Sequence, residues 1–227
     1  MVNNFLMKSW HYFLYNKILS LLLAGIVVGA LGYSSYSYLS TSREKYAYKS
    51  FAESHDLFEQ AVAADDGNNE KKNTELWKDV ELAFEEGYLK NRKSSIAPYF
   101  LAFQAEALIQ QKELAKAVSV MDNMMASLKK DSPLFGLYAV KSSLMKLDMN
   151  NADSKKTGLE DLIKLANEEL NPSRDMALYY LGEYYWAHNE PEKARISWQY
   201  LQDVAEFGKS PTPSPWFELV KSRIEIA

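Results

Sequence analysis

The sequence predicts an all-α protein in which one N-terminal transmembrane helix precedes an array of paired helices. Three observations lead there. No stretch alternates apolar and polar residues for the length of a strand. Beyond Arg43, apolar residues recur at spacings of three and four in segments parted by short polar breaks, which is helical periodicity. The first 42 residues hold no acid and only two bases, Lys8 and Lys17, so all 30 Asp and Glu residues lie beyond them.

The first element is the anchor. From Lys17 the chain runs 25 residues, Ile18 to Ser42, without a charge. A bilayer core needs about 20 mostly apolar residues in a helix, and ILSLLLAGIVVGALGY supplies the centre of such a span. Trp10, Tyr12 and Tyr15 precede it and Tyr33, Tyr36 and Tyr38 follow it, as interfacial aromatic belts require. The chain then divides into a tail (1–17), an anchor (18–42) and a domain (43–227). A cleaved signal peptide ending near Ala30-Leu31-Gly32 is the alternative; against it, the uncharged run continues to Ser42. Flanking bases are nearly balanced, Lys8 and Lys17 before against Arg43, Lys45 and Lys49 after, and do not set the orientation. Gly25 and Gly29, four apart, share one side of the helix, the arrangement that lets another membrane helix approach closely.

The remaining helices follow in order. Segment 43–64 carries Phe51, Ser54, Leu57, Phe58, Ala61 and Val62 on one stripe and can extend the span as one long helix. Asp65-Asp66-Gly67-Asn68-Asn69 ends it; the alternating ligand order of a calcium loop is missing there. Segment 74–90 opens with Thr74 as its N-cap and carries Trp77, Val80, Leu82, Phe84 and Tyr88. Further helices are expected at 96–111, 113–129, 133–148, 156–169, 173–188, 191–207 and 214–226. Pro98, Pro133, Pro172, Pro191, Pro213 and Pro215 fall near first turns, where a missing N–H costs nothing.

Helices of this length with short breaks prompt a search for repeats. From Asp175, the residues Leu178, Leu181, Gly182, Tyr185, Ala194 and Trp198 resemble the tetratricopeptide repeat pattern. In that pattern two small residues let the paired helices touch, so Gly182 and Ala194 are expected to meet. A second copy starts at Pro98 with Leu101, Ala105, Leu108, Ala117 and Met121, departing at Gln104. The two copies are 77 residues apart, leaving room for a longer, degenerate copy that pairs 133–148 with 156–169 through Gly158 or a neighbour. The domain is thus expected to be a tetratricopeptide-like α-hairpin solenoid, with 214–226 as the closing helix that covers its last apolar surface.

Several function classes are excluded. The domain carries 24 bases against 30 acids, a net −6 without a basic stripe, so no nucleic acid is expected. With no cysteine there is no disulfide, thiolate metal site or cysteine nucleophile. His11, His55 and His188 lack a second ligand at metal-site spacing, and neither a phosphate loop nor a Ser nucleophile elbow occurs. No enzyme, metal or cofactor is expected.

What remains is a surface. In a tetratricopeptide stack the first helix of each pair lines the groove. Its groove-facing positions here are Met176, Tyr179, Glu183, Trp186 and Ala187 in the last copy. In the first they are Tyr99, Ala102, Glu106, Ile109 and Gln110. Aromatic area beside a carboxylate suits polypeptide binding. The alternative is that Tyr179 and Trp186 pack against the closing helix.

The layout resembles the bacterial family of ancillary Sec translocon subunits, with one N-terminal anchor and a periplasmic tetratricopeptide-like domain. The residues that carry the resemblance are Ser50-Phe51-Ala52 through Ala61-Val62, Tyr99 through Ala107 with Leu114 and Ala117, and Leu181-Gly182-Glu183-Tyr184. Pro191-Glu192-Lys193-Ala194-Arg195 with Trp198, and Leu219, Lys221 and Ile224 of the closing helix, complete them. An insertion around Asn68–Lys72 and an aromatic-rich N-terminal tail depart from it. The resemblance implies a single-pass protein of the cytoplasmic membrane with its C-terminal domain in the periplasm. Its implied partners are the translocon, a membrane-anchored periplasmic chaperone of the peptidyl-prolyl isomerase class, and client polypeptides emerging from the channel. The other reading is a structural or scaffold subunit of a different envelope or secretion complex.

Overall fold

A computed structural model describes residues 17–64, 70–130, 132–207 and 214–224, with the side chains of 17–27, 70–72, 133 and 204–207 outside that description. The described residues form nine helices and no strand: α1 (Lys17–Ala64), α2 (Glu70–Asn91), α3 (Ala97–Gln110), α4 (Leu114–Ser127), α5 (Pro133–Asp148), α6 (Ala152–Asn167), α7 (Arg174–Ala187), α8 (Pro191–Phe207) and α9 (Pro215–Ile224). The chain is all-α.

Two boundaries differ from expectation. Helix α2 begins at Glu70, so Thr74 lies inside it and not at its N-cap. Helix α6 begins four residues earlier than the apolar pattern suggests. Asn151 supplies the cap, its Oδ1 accepting the Ser154 N–H at 2.7 Å, which satisfies a first-turn donor. The long connection after Asp148 is thereby shortened to an ordinary turn.

Helix α1 is continuous over 48 residues, about 72 Å at 1.5 Å per residue. Among the described residues no helix is long and apolar enough to cross a membrane. The apolar centre of the expected span, 18–27, has its side chains outside the description, and the expected contact residue Gly25 lies there. Gly29 has nothing within 4 Å of where a Cβ would sit. Residues 28–39 are exposed, and α1 enters the domain only from about Glu44, with Ala47 the first buried apolar side chain. The turn expected at 65–69 lies outside the described residues.

Each helix packs on its successor in sequence order, the arrangement of a helical solenoid. Contacts that skip one helix join only odd-numbered members, α1 to α3, α5 to α7 and α7 to α9. The odd helices therefore share one side of the stack. Three apolar clusters follow the chain: one from α1 to α3 around Phe84 and Phe100, one around Leu108, Met121 and Met124, and one from α5 to α9 around Leu162, Trp198 and Val220.

The 77-residue repeat is visible in the packing. Helices α3 and α7 are each 14 residues long, and α4 and α8 begin 77 residues apart. Both inner helices end identically. Lys112 and Asn189 take left-handed φ of 64° and 60°, and the next N–H, of Glu113 or Glu190, donates at 2.9 Å to the carbonyl of Leu108 or Tyr185. The following helix then pairs Lys116 with Glu113 and Lys193 with Glu190. Ala117 and Ala194, and Met121 and Trp198, are fully buried at matching positions.

Candidate partner-binding face

The shared side of the odd-numbered helices is where the expected groove residues lie. They fall into two patches, because α3 and α7 do not touch.

At the C-terminal end, α9 occupies the face of α7. The Trp216 ring lies 5.2 Å from that of Tyr179 and 5.4 Å from that of Tyr180. Two turns further along α9, the Arg223 guanidinium donates to Glu183 Oε2 at 2.8 Å, and Val220 is fully buried between. Glu183 Oε1 is buried without a partner among the described residues. Met176 is half-buried against the same cluster. Trp186 stays open, 38% exposed, with its ring 6.1 Å from that of Trp198, and Ala187 beside it is exposed too.

At the N-terminal end the face is uncovered. A cleft of about 460 Å³ opens between α1 and the start of α3, lined by Tyr48, Phe51, Ser95, Ile96 and Tyr99. Its floor is rigid, because Phe51 meets Phe84, Phe100 and Phe103 edge-on at 5.7, 5.3 and 5.4 Å. Across from Tyr99, burial chiefly, with Tyr99 and Glu106 beside it, holds the Tyr138 hydroxyl's pKa above the ordinary tyrosine range. Glu106 forms an ion pair with Lys141 of α5, and Ile109 packs into the middle cluster.

Glu106 and Glu183 are thus the same position in two copies, and each is bonded to a cation on the next inner helix. Both were expected as free anchors for a partner; both instead brace adjacent inner helices. Tyr179 is packed under α9. Of the expected residues, Tyr99 and Trp186 keep open apolar surface, joined by Tyr48 and Phe51, which a frame beginning at Pro98 does not reach.

The cleft's edge is held by Glu44. Its carboxylate accepts the Ser95 N–H at 3.0 Å and the hydroxyls of Ser95 and Ser94 at 2.8 and 2.9 Å. The Ser95 N–H first, then these hydroxyls and Arg43, hold Glu44 below the ordinary carboxylate range.

A second cleft, of about 330 Å³, lies among α4, α5 and α6. Of the three lysines that line it, Lys130, Lys146 and Lys164, Lys146 is paired with Asp161 at 3.1 Å and Asp122 at 3.7 Å and braces the helices there. His55 packs on Phe103 at 5.3 Å, and His188 stacks on Tyr184 with its Nδ1 2.8 Å from the Tyr184 carbonyl; His11 lies outside the described residues. Among the described residues no three potential metal ligands cluster.

No protein-family model and no curated protein matches the chain.

Proposed function

We propose that this chain is a membrane-anchored protein–protein interaction module that takes up a polypeptide in the cleft of Tyr48, Phe51, Ile96 and Tyr99. The observation that carries the reading is this preformed aromatic cleft on the uncovered inner face, where other inner positions are already filled by internal ion pairs or by α9. Tyrosine at a rim offers apolar area and a hydroxyl for a peptide group with few rotamers to freeze. The 77-residue repeat supports a domain of the tetratricopeptide type, and the uncharged 18–42 run supports a transmembrane anchor.

The family resemblance extends the proposal. The module faces the periplasm and assists polypeptides emerging from the Sec translocon, together with a membrane-anchored chaperone of the peptidyl-prolyl isomerase class. A Tyr48→Ala/Tyr99→Ala double variant of the full chain tests it. Tyr48 is 58% exposed but Tyr99 is half-buried against the N-terminal cluster, so circular dichroism first establishes that the variant folds. Truncating central aromatics commonly costs 2 kcal/mol or more of binding, roughly thirtyfold in affinity. Partners recovered from mildly solubilised membranes and identified by mass spectrometry should fall accordingly. Recovery at wild-type levels overturns the binding site. Stoichiometric recovery of one unrelated envelope complex replaces the translocon reading with the scaffold one.

A further inference from the structure

The N-terminal end of the domain gathers positive charge from two distant stretches. Helix α1 presents Arg43 and Lys45, both exposed, directly after the uncharged run. The α2–α3 turn presents Arg92 and Lys93, also exposed. Glu44 brings the two together through its bonds to Ser94 and Ser95, a contact spanning 50 residues of sequence. Helix α2 returns antiparallel to α1, with Ser54 Oγ donating to the Ala83 carbonyl at 3.2 Å, so its end arrives level with Glu44. Glu44 is two residues beyond Ser42, about 3 Å of helix rise. The turn therefore stands at the height where the uncharged run ends.

Nearby carboxylates do not neutralise this rim. Glu44 is occupied by its serine donors, and Glu86 is paired with Lys90 at 2.6 Å. Among the described residues Arg43, Lys45 and Lys93 form no salt bridge, and Arg92 lies over the Tyr88 ring at 5.5 Å. Around the same level Tyr36, Tyr38 and Tyr46 are 70%, 75% and 71% exposed, the residue type that settles among lipid headgroups. The whole domain is net negative, so an anionic surface attracts this rim and repels the rest.

We propose that Arg43, Lys45, Arg92 and Lys93 form one docking rim for anionic phospholipid headgroups, so that the α2–α3 turn rests on the membrane and the neighbouring cleft is held close to it. A basic residue near an anionic membrane surface strengthens association roughly fivefold, so two charge reversals remove most of the attraction. The inference rests on the reading of 18–42 as a membrane anchor.

The absence of cysteine makes the test direct. Full-length Lys93→Cys carries one fluorophore, as does a control Lys156→Cys on α6, a helix that contacts none of α1, α2 and α3. Both are placed in nanodiscs of phosphatidylcholine alone or with one-third phosphatidylglycerol, each with a headgroup nitroxide quencher. Quenching at 93 is expected to exceed that at 156 severalfold in the anionic discs. It should fall to the phosphatidylcholine level when Lys45→Glu and Arg92→Glu are added. Quenching at 93 that ignores lipid charge, or survives the reversals, overturns the docking while leaving the anchor intact. A chain that does not co-elute with discs overturns the anchor and the docking together.

Discussion

Two glycines show how single residues set the spacing of the stack. At Gly158, a Cβ would stand 2.7 Å from the Ser143 carbonyl oxygen and 3.0 Å from the Leu147 nitrogen, both backbone atoms that cannot yield. At Gly182, the nearest atoms to a Cβ all belong to the Trp198 indole, which is buried and donates to the Tyr179 carbonyl at 3.2 Å. The repeat pattern expects Gly182 to meet Ala194; the atoms nearest the glycine belong instead to Trp198, four residues further along the same helix. Overpacking of this kind costs about 1–3 kcal/mol, and in a domain of this size each kcal/mol lowers the melting temperature by roughly 2–4 °C. Gly158→Ala and Gly182→Ala should each melt several degrees lower by circular dichroism. Gly29→Ala, with open space around it, should not. A Gly182→Ala variant melting like the parent would mean that the indole can move aside.

At the scale of elements, α9 is the helix whose role changes most between sequence and structure. As a closing helix it was expected to cover apolar surface, and Val220 does so. It also seizes Tyr179 and Glu183, two residues whose repeat positions mark them for a groove. The reason is local: Pro215 starts α9 so that Trp216 lies over Tyr179 and Tyr180 and Arg223, two turns on, reaches Glu183. The α3–α5 pair repeats half of this, with Lys141 on Glu106. Tyr179→Ala should therefore destabilise the fold rather than act on binding alone. In a thermal or denaturant double-mutant cycle, Tyr179→Ala and Trp216→Ala should couple by about 0.5–1.5 kcal/mol, the worth of an aromatic pair beyond its buried area. Additive effects would show that the two rings are independent and that Tyr179 is free to serve a partner.

For the molecule as a whole, α1 joins residues 18–42, the proposed anchor, and the start of the domain in one continuous helix. Because α1 is unbroken to Ala64 and Glu44 ties it to the α2–α3 turn, the cleft keeps a fixed height and bearing relative to residues 18–42. The proposed orientation, domain outside the cytoplasmic membrane, predicts that protease added to intact spheroplasts digests residues 43–227. Protection until lysis would reverse the topology, and the translocon reading would fall with it.

Local chemistry was enough to read the helices. Period-three-and-four stripes marked them, first-turn prolines and Gly158 marked ends and close contacts, and the spacing of Leu101, Ala105 and Ala117 against Leu178, Gly182 and Ala194 marked the 77-residue copy. These features depend on neighbours within a turn or within one hairpin, so they leave a trace in a single sequence. The start of α6 was misread because a polar first turn behind an Asn cap carries no apolar signal. Which surface stays open was decided only in three dimensions. Glu106 and Glu183 look like free acids until Lys141 and Arg223 arrive from another helix, and Tyr179 looks exposed until Trp216 covers it. Tyr48 and Tyr99 line one cleft, and Glu44 holds the turn of Arg92 and Lys93 against the helix of Arg43 and Lys45, across about fifty residues of chain that no local pattern spans. Burial and charge pairing belong to the packed stack, because each needs a partner that only the fold can bring within reach.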